Sequence, residues 1–216
     1  MKGRFITFEG IDGAGKSTHL SRVAALLQDL QVPVLTTREP GGTVLAELIR
    51  DWFLHHPTDP QTEALLAFAA RSDHLAEVIR PALDAGRWVV CDRFTDSTVA
   101  YQGAGRGIGI ARVEQLERWL HPDLQPDRTY LFDLAPEEAA RRRAQARAAD
   151  RFEAEDVAFF QRVREGYQAR MSSPGSGDAG NFSPRIVLID AGQTPEAIWA
   201  ILAEDLAACC RQWAAS

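Results

Sequence analysis

The sequence of 216 residues contains few cysteines, little lysine and no long apolar run, and each shortage excludes a class of protein. No stretch reaches the roughly 18 consecutive apolar residues that a membrane span needs. Residues 1–9 lack the apolar run and the cleavage site of a signal peptide. The three cysteines, Cys91, Cys209 and Cys210, follow neither a metal-ligand spacing nor a disulfide framework. We therefore predict a cytoplasmic protein with no membrane partner.

Positive charge is also scarce. The formal net charge is −6 and the isoelectric point is near 5.4, whereas a general nucleic-acid surface would be basic. We therefore expect no nucleic-acid partner. Only two lysines, Lys2 and Lys16, accompany 22 arginines. Because the chain has no lysine-rich surface to which Lys16 could belong, the residues around Lys16 have to indicate its function.

Short β-branched or aromatic runs alternate with helical patterns along the chain. The runs occupy residues 4–9, 34–37, 88–91, 129–134 and 186–190. Apolar residues at helical spacing occupy residues 17–30, 43–54 and 62–85, and Pro136 and Pro195 each open a helical pattern after a strand. Strands that alternate with helices indicate βαβ crossovers. We predict a single α/β domain over residues 1–216, with five mostly parallel strands and helices on both faces of the sheet.

One segment interrupts this alternation. Residues 172–184 (SSPGSGDAGNFSP) are rich in glycine, serine and proline. Such a composition buries too little apolar surface to pack as regular structure. We predict a flexible loop within the domain, because one strand and one helix still follow it.

A phosphate-binding loop follows the first predicted strand. Residues 10–17 have the sequence GIDGAGKS, which matches GxxxxGK[ST] in the required place between a strand and a helix. The glycines let backbone N–H groups turn toward phosphate oxygens, while Lys16 and the helix N-terminus add positive charge. The hydroxyl of Ser17 can bind Mg²⁺. The loop therefore predicts binding of a nucleoside triphosphate.

Charged side chains follow two other predicted strands. Asp92 comes after the third strand, where a carboxylate can hold Mg²⁺ directly or through water. Arg38 follows the second strand, and Arg93 follows Asp92. Because the carboxyl ends of parallel strands meet at one edge of a sheet, we expect both arginines beside the phosphate loop. Fixed positive charge at that place would hold the phosphate of an acceptor.

A phosphate loop serves kinases, GTPase switches and ATPase motors alike. A switch normally recognises guanine through Asn-Lys-x-Asp, but the one asparagine, Asn181, lies in the predicted flexible loop. A motor usually needs a larger body or a partner-binding domain, which this chain does not show. The small size favours a phosphotransferase.

Four segments resemble the bacterial thymidylate kinases, which pass the γ-phosphate of ATP to dTMP. They are residues 8–18 (FEGIDGAGKST), 37–43 (TREPGGT), 92–107 (DRFTDSTVAYQGAGRG) and 150–153 (DRFE). The resemblance implies a P-loop NTPase fold like that of nucleoside monophosphate kinases, with strand order 2-3-1-4-5. It also implies a homodimer that binds ATP, dTMP and Mg²⁺.

The resemblance further implies which residues bind ATP and the metal. Mg²⁺ would be held by Ser17 and Asp92. The catalytic groups would be Lys16, Asp92, Arg93 and an arginine of a lid. The ATP site would comprise Gly10, Ile11, Asp12, Gly13, Ala14, Gly15, Lys16, Ser17 and Thr18, together with Arg143 and with Gln193 of residues 190–194 (DAGQT).

The lid would span residues 141–153, which begin with an arginine-rich run (RRRAQARAADR). Some members of the family carry an arginine within the phosphate loop, where this chain has Gly13. The catalytic arginine would therefore come from the lid, and Arg147 is its leading candidate. The composition of the run alone also fits a solvated helix face.

In the acceptor site, the resemblance assigns the phosphate and sugar to five residues. Arg38 and Arg93 would hold the monophosphate, and Asp12 would contact the sugar. Tyr101 would pack under the sugar and disfavour a ribose 2′-hydroxyl, while Ser97 would face the nucleoside. The local sequence at Ser97 is equally typical of a helix cap.

Three further residues would recognise the base. Phe68 would stack on thymine, Arg71 would reach a base carbonyl, and Gln102 would hydrogen-bond to the base edge. From the residues alone, Phe68 fits a core position better than a binding site.

We therefore predict transfer of the γ-phosphate of ATP to dTMP, giving dTDP, by direct in-line attack. Two alternatives stay open. One is a related nucleoside monophosphate kinase with another acceptor. The other is a P-loop nucleotide-binding module that is not a kinase.

Overall fold

Five parallel strands form one sheet in the computed structural model, which describes residues 2–144, 151–152, 155–172 and 185–214. The sheet order is β2-β3-β1-β4-β5, and every neighbouring pair is parallel. The predicted strands and their order are therefore confirmed, with boundaries that differ by at most one residue. The strands are β1 (Phe5–Glu9), β2 (Val34–Arg38), β3 (Trp88–Asp92), β4 (Arg128–Asp133) and β5 (Ile186–Asp190).

Helices connect the strands. They are α1 (Lys16–Asp29), α2 (Val44–His55), α3 (Pro60–His74), α4 (Arg80–Asp84), α5 (Thr95–Thr98), α6 (Ile110–Leu120), α7 (Pro136–Ala144), α8 (Val157–Met171) and α9 (Pro195–Ala214). The predicted single helix over residues 62–85 instead contains a π-helical turn, Leu75–Ile79, between α3 and α4. A second π-helical segment, Val99–Gly105, follows α5. Within the described part of the chain, no helix has both the length and the apolar character to cross a bilayer.

Both faces of the sheet are buried, as predicted. Successive side chains of a strand point to opposite faces. Ile6 and Phe8 accordingly pack in one core with residues of α1 and α9, whereas Phe5, Val89 and Cys91 pack in another with the segment that joins α3 to α4. The central strands are fully buried on both sides, which is the usual state of a parallel sheet.

Glycine permits two close approaches that shape the site. Gly10 has a φ of 128°, and a Cβ there would lie 2.3 Å from the carbonyl oxygen of Phe132. A Cβ on Gly166 would lie 2.8 Å from the Cα of Ala100. Helix α8 therefore packs directly on the second π-helical segment, and this contact brings Tyr167 to the carboxyl end of β1.

A buried ion-pair cluster joins α5, α8 and the start of β5. The carboxylate of Asp96 accepts hydrogen bonds from Arg170 Nε at 2.8 Å and from Arg185 Nη1 at 2.8 Å. Burial would raise the pKa of Asp96, but the two guanidiniums outweigh burial and hold the pKa well below its usual range. The carboxylate is therefore ionised in the folded protein at neutral pH.

Replacement of Asp96 by alanine should lower the free energy of unfolding at pH 7 by about 3 kcal/mol, because Arg185 would stay buried without its carboxylate. Urea denaturation measures this loss. The matched control is Asp123→Ala, which removes an exposed partner of Arg80 and should cost at most about 1 kcal/mol. Equal losses at the two positions would contradict the role given to Asp96.

Candidate active site

The phosphate loop lies between β1 and α1, as predicted. Gly13 and Gly15 have φ values of 89° and 88°, which only glycine adopts freely. Lys16 is buried, and its Nζ donates to the carbonyl oxygens of Gly10 at 2.8 Å and Ile11 at 3.2 Å. Burial, and then the charge of Arg93, lower the pKa of Lys16. Residues 10–15 form the loop, and Lys16, Ser17 and Thr18 begin α1.

Asp92 ends β3 next to this loop. It pairs in register with Phe8 of β1, and its charge acts on Lys16. Its Oδ1 atom is buried and finds no hydrogen-bond partner among the described residues. An orphaned carboxylate oxygen of this kind fits a cation ligand. No group of three or more His, Cys, Asp or Glu in the described ranges could hold a metal by itself. A divalent cation here would therefore rely on Asp92, Ser17 and nucleotide oxygens, as Mg²⁺ commonly does.

Arg93 connects the phosphate loop to a neighbouring cavity. Its φ of 72° lies in the left-handed region, and its backbone N–H donates to the Phe8 carbonyl at 2.9 Å. Its guanidinium donates to Asp12 Oδ1 at 2.8 Å, Ser97 Oγ at 3.0 Å and the Tyr101 hydroxyl at 3.3 Å. Arg93 therefore lies where the sequence predicted, at the sheet edge that carries the phosphate loop.

The cavity beside Arg93 encloses about 800 Å³ of space, including its open mouth. Six of the eight residues predicted for an acceptor site line it, namely Asp12, Arg71, Arg93, Ser97, Tyr101 and Gln102. The other lining residues are Glu39, Pro40, Arg50, Phe53, Leu54, Ala67, Phe94, Thr98 and Phe152.

Phe68 is buried on α3 and packs with Val99 and Val113. The guanidinium of Arg71 lies 4.9 Å from the centroid of its ring, and Ala67, one residue earlier, lines the cavity. The predicted stacking of Phe68 on thymine stays a prediction. Two other rings line the apolar wall.

The rings of Phe53 and Phe152 are nearly parallel in this wall, with centroids 6.1 Å apart. Phe53 comes from α2, and Phe152 comes from the residues that follow the arginine-rich run. Sequence reasoning missed both, because a phenylalanine in an apolar helix and one after a charged run carry no signal of a shared surface.

Arg38 lies outside the cavity lining, whereas Arg50 of α2 lines the cavity. Arg38 is exposed, and its Nη2 donates to both carboxylate oxygens of Glu47, at 2.9 and 3.1 Å. Arg50 donates to the Pro40 carbonyl at 3.0 Å. Burial, and then the charges of Arg38 and Arg93, lower the pKa of Arg50. Sequence reasoning missed Arg50, because α2 also contains Glu47 and Asp51 and its sequence does not single out one charged residue. The predicted phosphate contact of Arg38 stays a prediction.

Arg71 lines the cavity and is held by two neighbouring side chains. Its Nε donates to Glu39 at 2.8 Å and its Nη2 donates to Thr98 Oγ1 at 3.0 Å. Its Nη1 atom is buried and has no partner among the described residues. Glu39 also accepts from His74 Nδ1 at 3.1 Å, so the carboxylate is held from two sides. These hydrogen bonds fix the Arg71 guanidinium and leave its Nη1 without a partner among the described residues.

A family model described as thymidylate kinase matches residues 8–196 of this chain. The chain belongs to the thymidylate kinase family. It is 52% identical over 201 residues to the thymidylate kinase of Bordetella pertussis, covering 93% of each chain. It is 54% identical over 203 residues to that of Ralstonia nicotianae, covering 92% of this chain and 95% of the relative. For the thymidylate kinase of Ralstonia pickettii the identity is 58% over 177 residues, covering 80% and 86%.

On the other side of the phosphate loop, this member of the thymidylate kinase family has a turn after β5. Arg142 of α7 donates to the Ala191 carbonyl at 3.1 Å, and the Asp190 carboxylate accepts from the Gly192 N–H at 2.9 Å. Gln193 is exposed in this turn. Arg147 and residues 173–184 lie outside the described residues, as does the side chain of Arg143. Their predicted roles therefore stay predictions.

Ser97 is a residue of α5 and does not cap it, since Phe94 precedes the helix. Its hydroxyl donates to Glu9 Oε2 at 2.5 Å, and the other carboxylate oxygen of Glu9 accepts from the Phe94 N–H at 2.7 Å. Burial raises the pKa of Glu9 to about 7, and the nearby Asp96 adds to the rise. Sequence reasoning missed Glu9, which holds Ser97 at the cavity of this thymidylate kinase family member.

The raised pKa of Glu9 makes stability depend on pH. The Glu9 carboxyl stays protonated in the folded protein up to about pH 7, whereas in the unfolded chain it loses its proton above about pH 4.5. The free energy of unfolding therefore falls as pH rises between these values. Glu9→Gln removes the titrating group, so this fall should vanish. The unfolding free energy of the variant, relative to the unmodified chain, should rise by about 2 kcal/mol from pH 5 to pH 8. Urea denaturation of both proteins at the two pH values tests this, and a constant difference would contradict it.

Proposed function

We propose that this chain transfers the γ-phosphate of ATP to dTMP, giving dTDP, in the cytoplasm, where ATP is available. The observation that carries the proposal is the Asp12–Arg93 ion pair at 2.8 Å, which joins a phosphate loop to the neighbouring cavity. Membership of the thymidylate kinase family supports dTMP as the acceptor. An acceptor in the cavity would present its phosphate to a nucleotide on the loop.

The chemistry needs positioning and charge neutralisation and no covalent intermediate. Lys16 and the backbone N–H groups of residues 10–17 would hold the β- and γ-phosphates. Arg93, between the two sites, would neutralise charge on the transferred group. Asp92 and Ser17 would hold Mg²⁺, which when bound supplies further neutralisation of the phosphate oxygens. The catalytic arginine in this proposal is Arg147, with Arg143 and Gln193 on the ATP.

The cavity offers matching groups to each part of dTMP. Arg93, Arg50 and Arg38 would hold the monophosphate, and Asp12 would contact the sugar. Tyr101 is buried, with the Arg93 guanidinium 5.0 Å from its ring centroid. This ring would pack under the sugar and disfavour a ribose 2′-hydroxyl. Ser97 would face the nucleoside.

The same cavity would hold the base. Arg71 would donate to a base carbonyl, and Gln102 would hydrogen-bond to the base edge. Phe68 would stack on thymine, and Phe53, Phe152 and Ala67, which line the cavity, would supply further apolar surface for the ring.

The direct test is a panel of nucleoside monophosphates incubated with Mg·ATP, with ADP and diphosphate formation followed together. We expect dTMP to be the preferred acceptor and to accelerate ATP consumption. Lys16→Met should lower turnover by at least about 1,000-fold, because the positive charge on the phosphates is lost, while its thermal unfolding stays cooperative. Another preferred monophosphate would overturn the acceptor assignment. ATP hydrolysis without acceptor stimulation would favour the nucleotide-binding module.

The proposal includes a homodimer formed through α2. Val44, Leu48 and Trp52 recur every four residues on one face of this helix, and they are 84%, 65% and 49% exposed. Leu65 of α3 is also exposed. Apolar residues clustered on one helix face usually mark an interaction surface. A second copy of the same face would cover them, as twofold symmetry requires.

A charge placed in this face should separate the protomers. We expect Leu48→Glu to be monomeric in sedimentation equilibrium at micromolar concentration, because association would bury its carboxylate. The matched control, Leu188→Glu, changes an exposed leucine of β5 at the opposite edge of the sheet and should leave the dimer intact. A monomeric unmodified chain, or a dimeric Leu48→Glu, would contradict the proposal.

A further inference from the structure

Glu63 is a fully buried carboxylate that no step of the proposed reaction uses. It lies in the first turn of α3, behind the cavity wall. Its Oε1 accepts from Gln102 Nε2 at 2.7 Å and from Arg106 Nε at 3.4 Å. Its Oε2 accepts from Arg151 Nη2 at 2.7 Å. The carboxylate thus joins Gln102, in the π-helical segment Val99–Gly105, to two arginines.

An ionised carboxylate can only accept hydrogen bonds. Facing it, the side chain of Gln102 has to present its NH₂ group. The carbonyl oxygen of the same planar amide therefore points the other way. Gln102 lines the cavity, and the oxygen is the end of its amide that is turned away from Glu63.

Two arginines also bind Glu63. Arg151 and Arg106 both donate to it, and Arg106 is itself held by Glu155 at 2.6 Å. Both oxygens of the Glu63 carboxylate therefore face donors, and the Gln102 NH₂ group is one of them.

We propose that Glu63 is a positioning residue that fixes the Gln102 amide with its oxygen toward the acceptor base and thereby selects a base with an N3–H. This inference rests on the proposed function. Thymine carries a donor at N3, which the oxygen of Gln102 accepts. Cytosine carries an acceptor at N3. This atom and the Gln102 oxygen would face each other as two acceptors, with no hydrogen bond between them. A mismatch of this kind leaves buried polar atoms unpaired, and such mismatches give strong discrimination.

The test is the ratio of kcat/KM for dTMP to kcat/KM for dCMP. In Glu63→Gln the side-chain oxygen of residue 63 would face Arg151, and its NH₂ would face Gln102. The Gln102 amide would then turn, and its NH₂ would point to the base. We expect the ratio to fall by at least tenfold, the factor for one lost hydrogen bond of about 1.4 kcal/mol. A purely structural role would lower both kcat/KM values together and leave the ratio unchanged.

Two further variants isolate the amide orientation. Arg151→Gln removes the ion pair but leaves the carboxylate opposite Gln102, so its ratio should equal that of the unmodified chain. The double variant Glu63→Gln with Gln102→Glu restores an acceptor toward the base, because the amide introduced at position 63 can donate to the new carboxylate at position 102. It should recover most of the ratio lost in Glu63→Gln. Loss of the ratio in Arg151→Gln, or no recovery in the double variant, would overturn the proposal.

If Glu63→Gln does not fold, a measurement on the unmodified chain tests the orientation of the Gln102 amide. The side-chain NH₂ resonance of Gln102, identified by its disappearance in Gln102→Leu, should exchange slowly with solvent. It should stay at the same chemical shift when dTMP binds, because its partner remains Glu63. A large shift on binding would show that the NH₂ group contacts the base and would overturn the inference.

Different experimental results would contradict the role of Glu63 and the proposed function. An unmodified chain that phosphorylates no dTMP contradicts the proposed function. An unmodified chain that strongly prefers dTMP to dCMP, together with a folded Glu63→Gln that keeps the same preference, contradicts only the role of Glu63.

Discussion

The pairing of β1 with β3 is the interaction on which the whole site depends. Phe8 and Asp92 are register partners at the ends of these strands, and the next residue, Arg93, donates its N–H to the Phe8 carbonyl at 2.9 Å. The N–H of Glu39 likewise donates to the Asp92 carbonyl at 2.9 Å. A shift of one residue would turn every side chain of β3 to the other face. The register therefore sets where the loop, the carboxylate and the arginine meet.

Three buried glutamates each bind a side chain that lines the cavity. Glu9 accepts from Ser97, Glu39 accepts from Arg71, and Glu63 accepts from Gln102. Carboxylate oxygens accept from donors on the wall, so they set which polar atoms remain for a ligand.

The sequence predicted the features that depend on strong local patterns. The five strands follow from β-branched runs, and the phosphate loop follows from a spacing that only one backbone conformation satisfies. Arg93 and Asp92 followed from the rule for strand ends. The stacking role of Phe68 came from the resemblance alone and stays a prediction, because neighbouring residues of a helix differ by about 100° in direction and local spacing does not decide which ring meets a base.

Arg50 and Glu63 were missed for a different reason. Each is a charged residue on a helix, which by itself is typical of a solvated face. The position of Arg50 depends on its hydrogen bond to Pro40 and on the charge of Arg93. The position of Glu63 depends on its hydrogen bonds with Gln102 and Arg151. These contacts join residues between 10 and 88 positions apart. Periodicity and motif spacing describe neighbours in sequence, so they carry no information about such contacts.

The cations of the cavity also explain why an anionic acceptor fits it better than a neutral one. The charges of Arg38 and Arg93 lower the pKa of Arg50, so the three guanidiniums repel one another. Asp12 pairs with Arg93, and Glu47 pairs with Arg38. Arg50 donates to a carbonyl, which carries no full charge. A phosphate near these groups would offset the repulsion that remains. A nucleoside without its phosphate would leave that repulsion in place, so these guanidiniums would favour the phosphorylated form of an acceptor in this cavity.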